Sequence, residues 1–475
     1  MSQLFADCLN EILEYLQDDM ITLHSCLLVN HLWCEVSVRI FWRNSWNYRD
    51  SNLRTLIACL PTESKEILSK NGIIITTSTS KPPMYNYASF CKVLSINRVD
   101  YKLEKFLKNQ QYISLQNLND ITYILSQEIF KLYMNQIGSL KSIYLQNFTN
   151  STFNFYPGTK DCLKNLTELY IRSDISSEFF YQLSKICHNI LLLNLSIELF
   201  ISEGLTDLIS VQENLKYLTI DHHTMENLKD LTFSLTKLIN LSKLCLYSSK
   251  YYFSLSFIIN FINLQELRLL FEYDECFKDF EELQYAFFPK LQILNIVHAC
   301  PKYELLMKFL EINGKNLKEC YIGYNNGKSD NLLNLTIAKF CPNLRKLSVG
   351  FKSSELETLK IVYNNCQYLE SINIWCGSEF LSEKEALELV VNYSHKNLYE
   401  IILYHMYFTR SKLLPEDLES FFISWINRVP QKSLCLIINH CYDIKDSLDT
   451  NYENMEIINK YIKLGIIKKF EVTSI

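Results

Sequence analysis

The stretch NLTELYI, Asn165–Ile171, decides the fold because the chain repeats it. Variants of the phrase read SLKSIYL, NILLLNL, NLKYLTI, NLSKLCL, NLQELRL, KLQILNI, NLKECYI, NLRKLSV, YLESINI and NLYEIIL. Their first apolar residues are Leu140, Leu166, Ile190, Leu215, Leu241, Leu264, Leu291, Leu317, Leu344, Leu369 and Leu398, at intervals of 23 to 29 residues. A weaker copy, FCKVLSI, begins at Phe90. Each phrase opens on a turn residue and closes in period-two alternation, which predicts a short half-buried strand. Between phrases the apolar residues take helical spacing, as at Leu332, Leu333, Leu335, Ile337 and Phe340. A strand-plus-helix unit of this size cannot bury its apolar face alone, so neighbouring units must stack into one core.

Over residues 89–430 this pattern resembles the leucine-rich repeat. CHNI from Cys187, CPNL from Cys341 and CQYL from Cys366 are similar to its cysteine-containing subclass, in which the thiol is a small buried hydrophobe. The fold expected is α/β, a leucine-rich-repeat solenoid with a parallel concave sheet and outer helices. After the repeats fade, SLCLIINH reads as a strand, ENMEIINKYIKL as an amphipathic helix and IIKKFEV as a last strand, an α/β cap over residues 431–475.

The first 47 residues differ. Leu9, Ile12, Leu13 and Leu16 follow i, i+3, i+4, i+7, with Asp7 placed as an N-cap. QDDM breaks that helix, and SCLLVNHLWC, Ser25–Cys34, reads as part of a second one that is apolar on more than one side. So small a block cannot bury all these groups by itself. Leu4, Asp7, Leu9, Ile12, Leu16, Leu23, Cys26, Val29 and Trp33 follow the order of the F-box motif, although Phe5 stands where that family carries Pro. The closing WRNSW is similar to the tail of F-box proteins with cysteine-containing repeats. The resemblance implies a small all-α F-box over 1–47 that docks a Skp-type adaptor, and through it a cullin–RING ligase. The adaptor face it implies comprises Leu4, Phe5, Leu9, Ile12, Leu13, Leu28, Val29 and Trp33. Residues 48–88 are read as a docking helix, SNLRTLIACLPTESKEIL, followed by a linker, ITTSTSKPP.

Composition narrows the classes. The 475 residues are 48% hydrophobic and 21% charged, which are globular values. A net charge of −5 without basic clusters disfavours nucleic acid. Only ten glycines disfavours nucleotide folds. Asp7, Glu11 and Glu14 argue against a signal peptide, and no apolar run reaches membrane-spanning length. Sixteen cysteines then read as reduced thiols of a cytoplasmic or nuclear protein. GYNNGKS, Gly323–Ser329, has the wrong spacing for a phosphate loop. His222–His223, and His298 with Cys300, lack paired metal-ligand spacing and are expected to be solvated rim residues. No nucleophile signature surrounds any cysteine.

The function expected is the substrate-recognition subunit of a Skp–cullin–F-box ubiquitin ligase, without an active site, cofactor or metal of its own. The alternative is a leucine-rich-repeat interaction scaffold or inhibitor with no ligase link. In either case alternation puts Tyr170, Arg172, Tyr217, Asp221, Tyr247, Arg268, Asn295, Tyr321, Trp375 and Tyr404 on the concave face, where a protein substrate would bind.

Overall fold

A computed structural model of the chain describes residues 6–73, 83–109, 118–146, 156–223, 228–249, 254–323, 329–377, 379–406, 413–428, 432–441 and 447–474. The chain divides into two compact units, Met1–Leu215 and Lys216–Ile475. The first holds strands β1 (Val93–Ser95), β2 (Ser142–Leu145), β3 (Glu168–Arg172) and β4 (Leu192–Ile197), paired parallel in chain order. The second holds β5 (Tyr217–His222), β6 (Lys243–Ser248), β7 (Glu266–Phe271), β8 (Ile293–His298), β9 (Glu319–Ile322), β10 (Lys346–Val349), β11 (Ser371–Cys376), β12 (Glu400–His405), β13 (Leu434–His440) and β14 (Ile467–Ser474). These ten also pair parallel in chain order. Helical segments make the crossovers that parallel strands require. Every quoted phrase ends in a strand, so each unit has the strand-and-helix plan of a leucine-rich repeat. The strand, helix and strand read at the C-terminus are β13, the helix Tyr452–Lys463 and β14.

Alternation sets the layers. Leu169 and Ile171 of β3, or Leu244 and Leu246 of β6, are buried, while the residues between them are partly open. Cys187, Cys341 and Cys366 are fully buried, and the Cys366 thiol lies 3.5 Å from the Cys341 carbonyl. Burial pushes the Cys187 and Cys366 thiols up to about 12. Two units replace the thiol with an amide. Gln212 donates to the carbonyls of Cys187 (2.6 Å) and Leu208 (3.0 Å) and accepts from Ile190 N (3.1 Å). Asn313 makes the same kind of bonds to Ala286, Phe309 and Phe288. Each amide satisfies backbone groups that would otherwise be buried without partners.

The N-terminal block is three short helices, α1 (Ala6–Glu14), α2 (Met20–Cys26) and α3 (His31–Phe41). They close a core of Leu9, Leu13, Leu23, Cys26, Val36 and Ile40. Three expectations change here. Asp7 lies inside the first turn of α1, where its charge suits the helix dipole, and is not the cap. SCLLVNHLWC is two helix ends and a turn, because the Asn30 side chain accepts from Trp33 N at 3.0 Å and starts a new helix. SNLRTLIACLPTESKEIL is two helices, α4 (Asp50–Ala58) and α5 (Thr62–Lys70), because Pro61 has no N–H to continue a ladder. α4 meets the repeats where Arg54 lies over the Phe106 ring, 4.9 Å from its centroid. Of ITTSTSKPP, residues 75–82 lie outside the described residues.

The WRNSW tail joins this block to the sheet. Lys92 N and Val93 N donate to the Arg43 carbonyl at 2.8 and 3.0 Å, and Ser95 N donates to Ser45 Oγ at 2.8 Å. Asn44 forms a parallel bridge with Val93, so the tail covers the edge of β1. Arg43 also reaches back to both oxygens of Glu14 at 2.5 and 2.6 Å.

His222 is not a rim residue. It follows Leu218 and Ile220 as the third inward position of β5 and is 1% exposed, and burial pulls its pKa down to about 4. His223, the outward neighbour, pairs with Asp221 at 2.9 Å. Cys300 is buried, and His298 is half-buried with a left-handed φ of 69°. Residues 324–328 of GYNNGKS lie outside the described residues.

Candidate recognition surface

The sheet face opposite the buried side carries the residues expected to meet a partner. In the first unit Tyr144 and Tyr170 stack at 4.0 Å with planes 10° apart. Arg172 is clamped by Asp174 at 2.6 Å, with Glu198 at 3.9 Å. Parallel registry makes these ladders, since equivalent side chains of adjacent repeats stand side by side.

In the second unit Arg268 pairs with Glu266, which also takes Lys243 at 3.1 Å. Tyr217 is exposed and lies under Lys243 at 5.4 Å. Tyr247 is half-buried and donates to Glu272 at 2.8 Å. The Glu272 bond, with burial, pushes its phenol up to about 12. Tyr321 donates to Glu319 Oε2 at 3.0 Å, and Lys346 reaches Glu319 Oε1 at 3.2 Å.

Beside them a cavity of about 450 Å³ is lined by Asn295, Val297, Tyr321, Lys346, Ser371, Asn373, Glu400 and Ile402. Ser348 stands between Tyr321 and Asn373 in the register. Oδ1 of Asn295, Oδ1 of Asn373 and Oγ of Ser348 are buried with no hydrogen-bond partner among the described residues. A buried polar atom left unsatisfied costs about 1–3 kcal/mol. The three lie in one row of the sheet, on Asn295, Ser348 and Asn373.

Trp375 and Tyr404 depart from expectation. They share the outward row, paired in register, but are 0% and 1% exposed. The segment after β11 turns at Gly377 (φ 95°) and returns through Phe380, whose ring meets Trp375 edge-on at 5.2 Å. Leu381 N donates to Phe351 O at 3.2 Å and fixes the return. Phe380 and Met406 close an apolar cluster over the two rings. Alternation predicts which face a side chain takes, but not whether a later segment covers it.

In the N-terminal block Leu9 and Leu13 are core, Trp33 is half-buried against it, and Ile12, Leu28 and Val29 are 52%, 77% and 57% exposed. Leu4 and Phe5 lie outside the described residues. Leu9 and Leu13 therefore support the block from inside and are not contact residues. Ile12, Leu28 and Val29 are open apolar groups, as are Tyr15 and Ile21. Among the described residues no helix is long and apolar enough to cross a membrane.

No protein-family model and no curated protein matches the chain. Among solved structures, a leucine-rich-repeat protein of Leptospira interrogans is similar at 18% identity and a TM-score of 0.39, covering 74% of this chain and 86% of its own. Rad7 in complex with Elc1, from yeast, is similar at 15% identity and a TM-score of 0.38, covering 73% and 88%. The leucine-rich repeat-containing protein LegL7 of Legionella pneumophila is similar at 11% identity and a TM-score of 0.33, covering 68% and 90%. These similarities are low, and the leucine-rich-repeat architecture rests on the strand order and the repeat register of the chain itself.

Proposed function

We propose that the chain is a non-catalytic recognition subunit of a Skp–cullin–F-box ubiquitin ligase. The N-terminal helices hold a Skp-type adaptor and the sheet face of the repeats holds a protein substrate. The carrying observation is that the N-terminal block closes its own core and still leaves Leu28 and Val29 open. Their turn is held in place by the Asn30 cap. A helical cap on a repeat array turns polar residues outward; this block exposes Ile12, Tyr15, Ile21, Leu28 and Val29 among its polar residues. Large apolar anchors of this kind dominate interfaces that bury about 800 Å² per partner. On the substrate side, support comes from Tyr321, Arg268 and the cavity with its unpartnered polar atoms.

The second reading, an interaction scaffold with no ligase link, is favoured by the pairing of residues 43–45 with β1, which is what a cap does. Co-purification separates the two. The full chain should retain a Skp-type adaptor, and Leu28→Glu should weaken that complex by about 2 kcal/mol or more, roughly thirtyfold in Kd, with the fold intact. Normal adaptor binding by Leu28→Glu, or no adaptor on the wild-type chain, would leave the scaffold reading.

A further inference from the structure

Where β12 and β13 end, four side chains meet that the recognition surface does not use. His405 and His440 occupy the same register, and their Nδ1 atoms face each other at 3.3 Å. Each ring turns its other nitrogen to a carboxylate. His405 Nε2 lies 2.7 Å from Glu383 Oε1, and His440 Nε2 lies 3.0 Å from Asp449 Oδ2. Glu383 and both histidines are less than 9% exposed, and the Asp449 side chain is 12% exposed. Both carboxylates accept from a second donor. Leu448 N donates to Glu383 Oε1 at 3.0 Å, and the Ser447 hydroxyl donates to Asp449 Oδ1.

Counting protons shows what the arrangement lacks. A carboxylate opposite each Nε2 calls for an N–H there, so each neutral ring keeps its lone pair on Nδ1. Two lone pairs then face each other across 3.3 Å in a buried site, which is repulsive unless a positive centre lies between them. A shared proton or a cation would serve. Two observations favour the cation. Two ligands about 2.0–2.1 Å from a tetrahedral zinc are separated by roughly 3.3 Å, which is the Nδ1–Nδ1 separation here. The outer carboxylates are the partners that metal-bound histidines characteristically have on their second nitrogen.

We propose that His405 and His440 bind a divalent transition-metal ion of the zinc type through their Nδ1 atoms, with Glu383 and Asp449 holding the rings. His405, His440 and Asp449 each bring a donor atom within 4.8 Å of the others. The ion ties the ends of β12 and β13 to the first turn of the helix Glu383–Tyr393 and to the turn at residues 448–450. Its role is structural, and it is independent of the adaptor and substrate readings.

The test uses the full-length chain after dialysis against a chelator. Zn2+ titrated calorimetrically should bind at one equivalent. Co2+ in its place should give two exchangeable, hyperfine-shifted imidazole N–H signals. His405→Gln with His440→Gln should abolish binding. Glu383→Gln or Asp449→Asn should weaken it about 10–100-fold. If the double variant fails to fold, the wild-type Co2+ spectra still decide. Absence of metal uptake overturns the proposal, as does uptake that survives the double substitution. An imidazolium N–H signal in a wild-type protein that takes up no metal would identify a shared proton instead.

Discussion

At the residue scale the inward position at the end of β5 is a sensitive one. His222 sits there with its pKa drawn down to about 4 by burial. Above about pH 6.5 the ring is neutral in the folded and unfolded chains, so it costs nothing through ionisation. As the pH falls below that value the unfolded chain takes up a proton and the folded chain does not until about pH 4, so stability drops. By pH 5 the loss should reach about 2 kcal/mol at 1.36 kcal/mol per unit. Urea unfolding at pH 7 and pH 5 should show this in the wild type and not in His222→Leu. Gly350 is the second sensitive residue, because a Cβ there would stand 2.3 Å from Trp375 Cε3 and 2.6 Å from Phe380 Cε1. Gly350→Ala should cost about 1–3 kcal/mol by overpacking and shift the Trp375 fluorescence. Cys8 is exposed while Cys187, Cys341 and Cys366 are fully buried. Alkylation of the native chain should therefore take Cys8 quickly and the other three only on unfolding; rapid labelling of the three would place the repeats in the wrong register.

At the element scale helix boundaries carry the function proposed for the N-terminus. Leu28 and Val29 project from a turn because Asp19 caps α2 and Asn30 caps α3. Asn30→Ala should destabilise the block by about 1 kcal/mol and loosen adaptor binding, while Asn30→Asp, which keeps the accepting oxygen, should restore both. A denaturation midpoint and an adaptor titration on the two variants check this. Equal adaptor affinity for Asn30→Ala and wild type would separate the turn from the interface. The edge of β1 depends on Arg43–Ser45 in the same way, since these residues supply the hydrogen bonds an exposed parallel edge would leave open.

At the scale of the whole molecule the second unit's sheet face is the place to test substrate capture. Arg268 is partly exposed and Tyr321 lines the cavity, and neither is part of the core. Arg268→Ala combined with Tyr321→Ala should weaken substrate retention by more than tenfold and leave adaptor binding and Tm nearly unchanged. Retained substrate in that variant, together with release by changes on the helical side, would move the binding surface off the sheet. Trp375 is unsuitable for this test, because its loss would open the cluster around Phe380 and Tyr404 and report on stability.

Much of this was legible in the chain. A period of 23 to 29 residues with two-residue alternation determines parallel strands, their neighbours and their faces, because no other stacking buries every repeat's Leu and Ile. Leu169, Ile171, Leu244 and Cys366 could be placed inward from spacing alone. Contacts between residues distant in sequence had no such local signature. The Phe380 return that buries Trp375, and the meeting of His405 with His440, Glu383 and Asp449, join segments that period and propensity treat separately. Even there the sequence held a trace, since His405 and His440 each close a strand at the same inward position. Only the folded packing decides which outward residues stay open and which polar atoms lack partners, because both depend on what covers a site and not on the residue that occupies it.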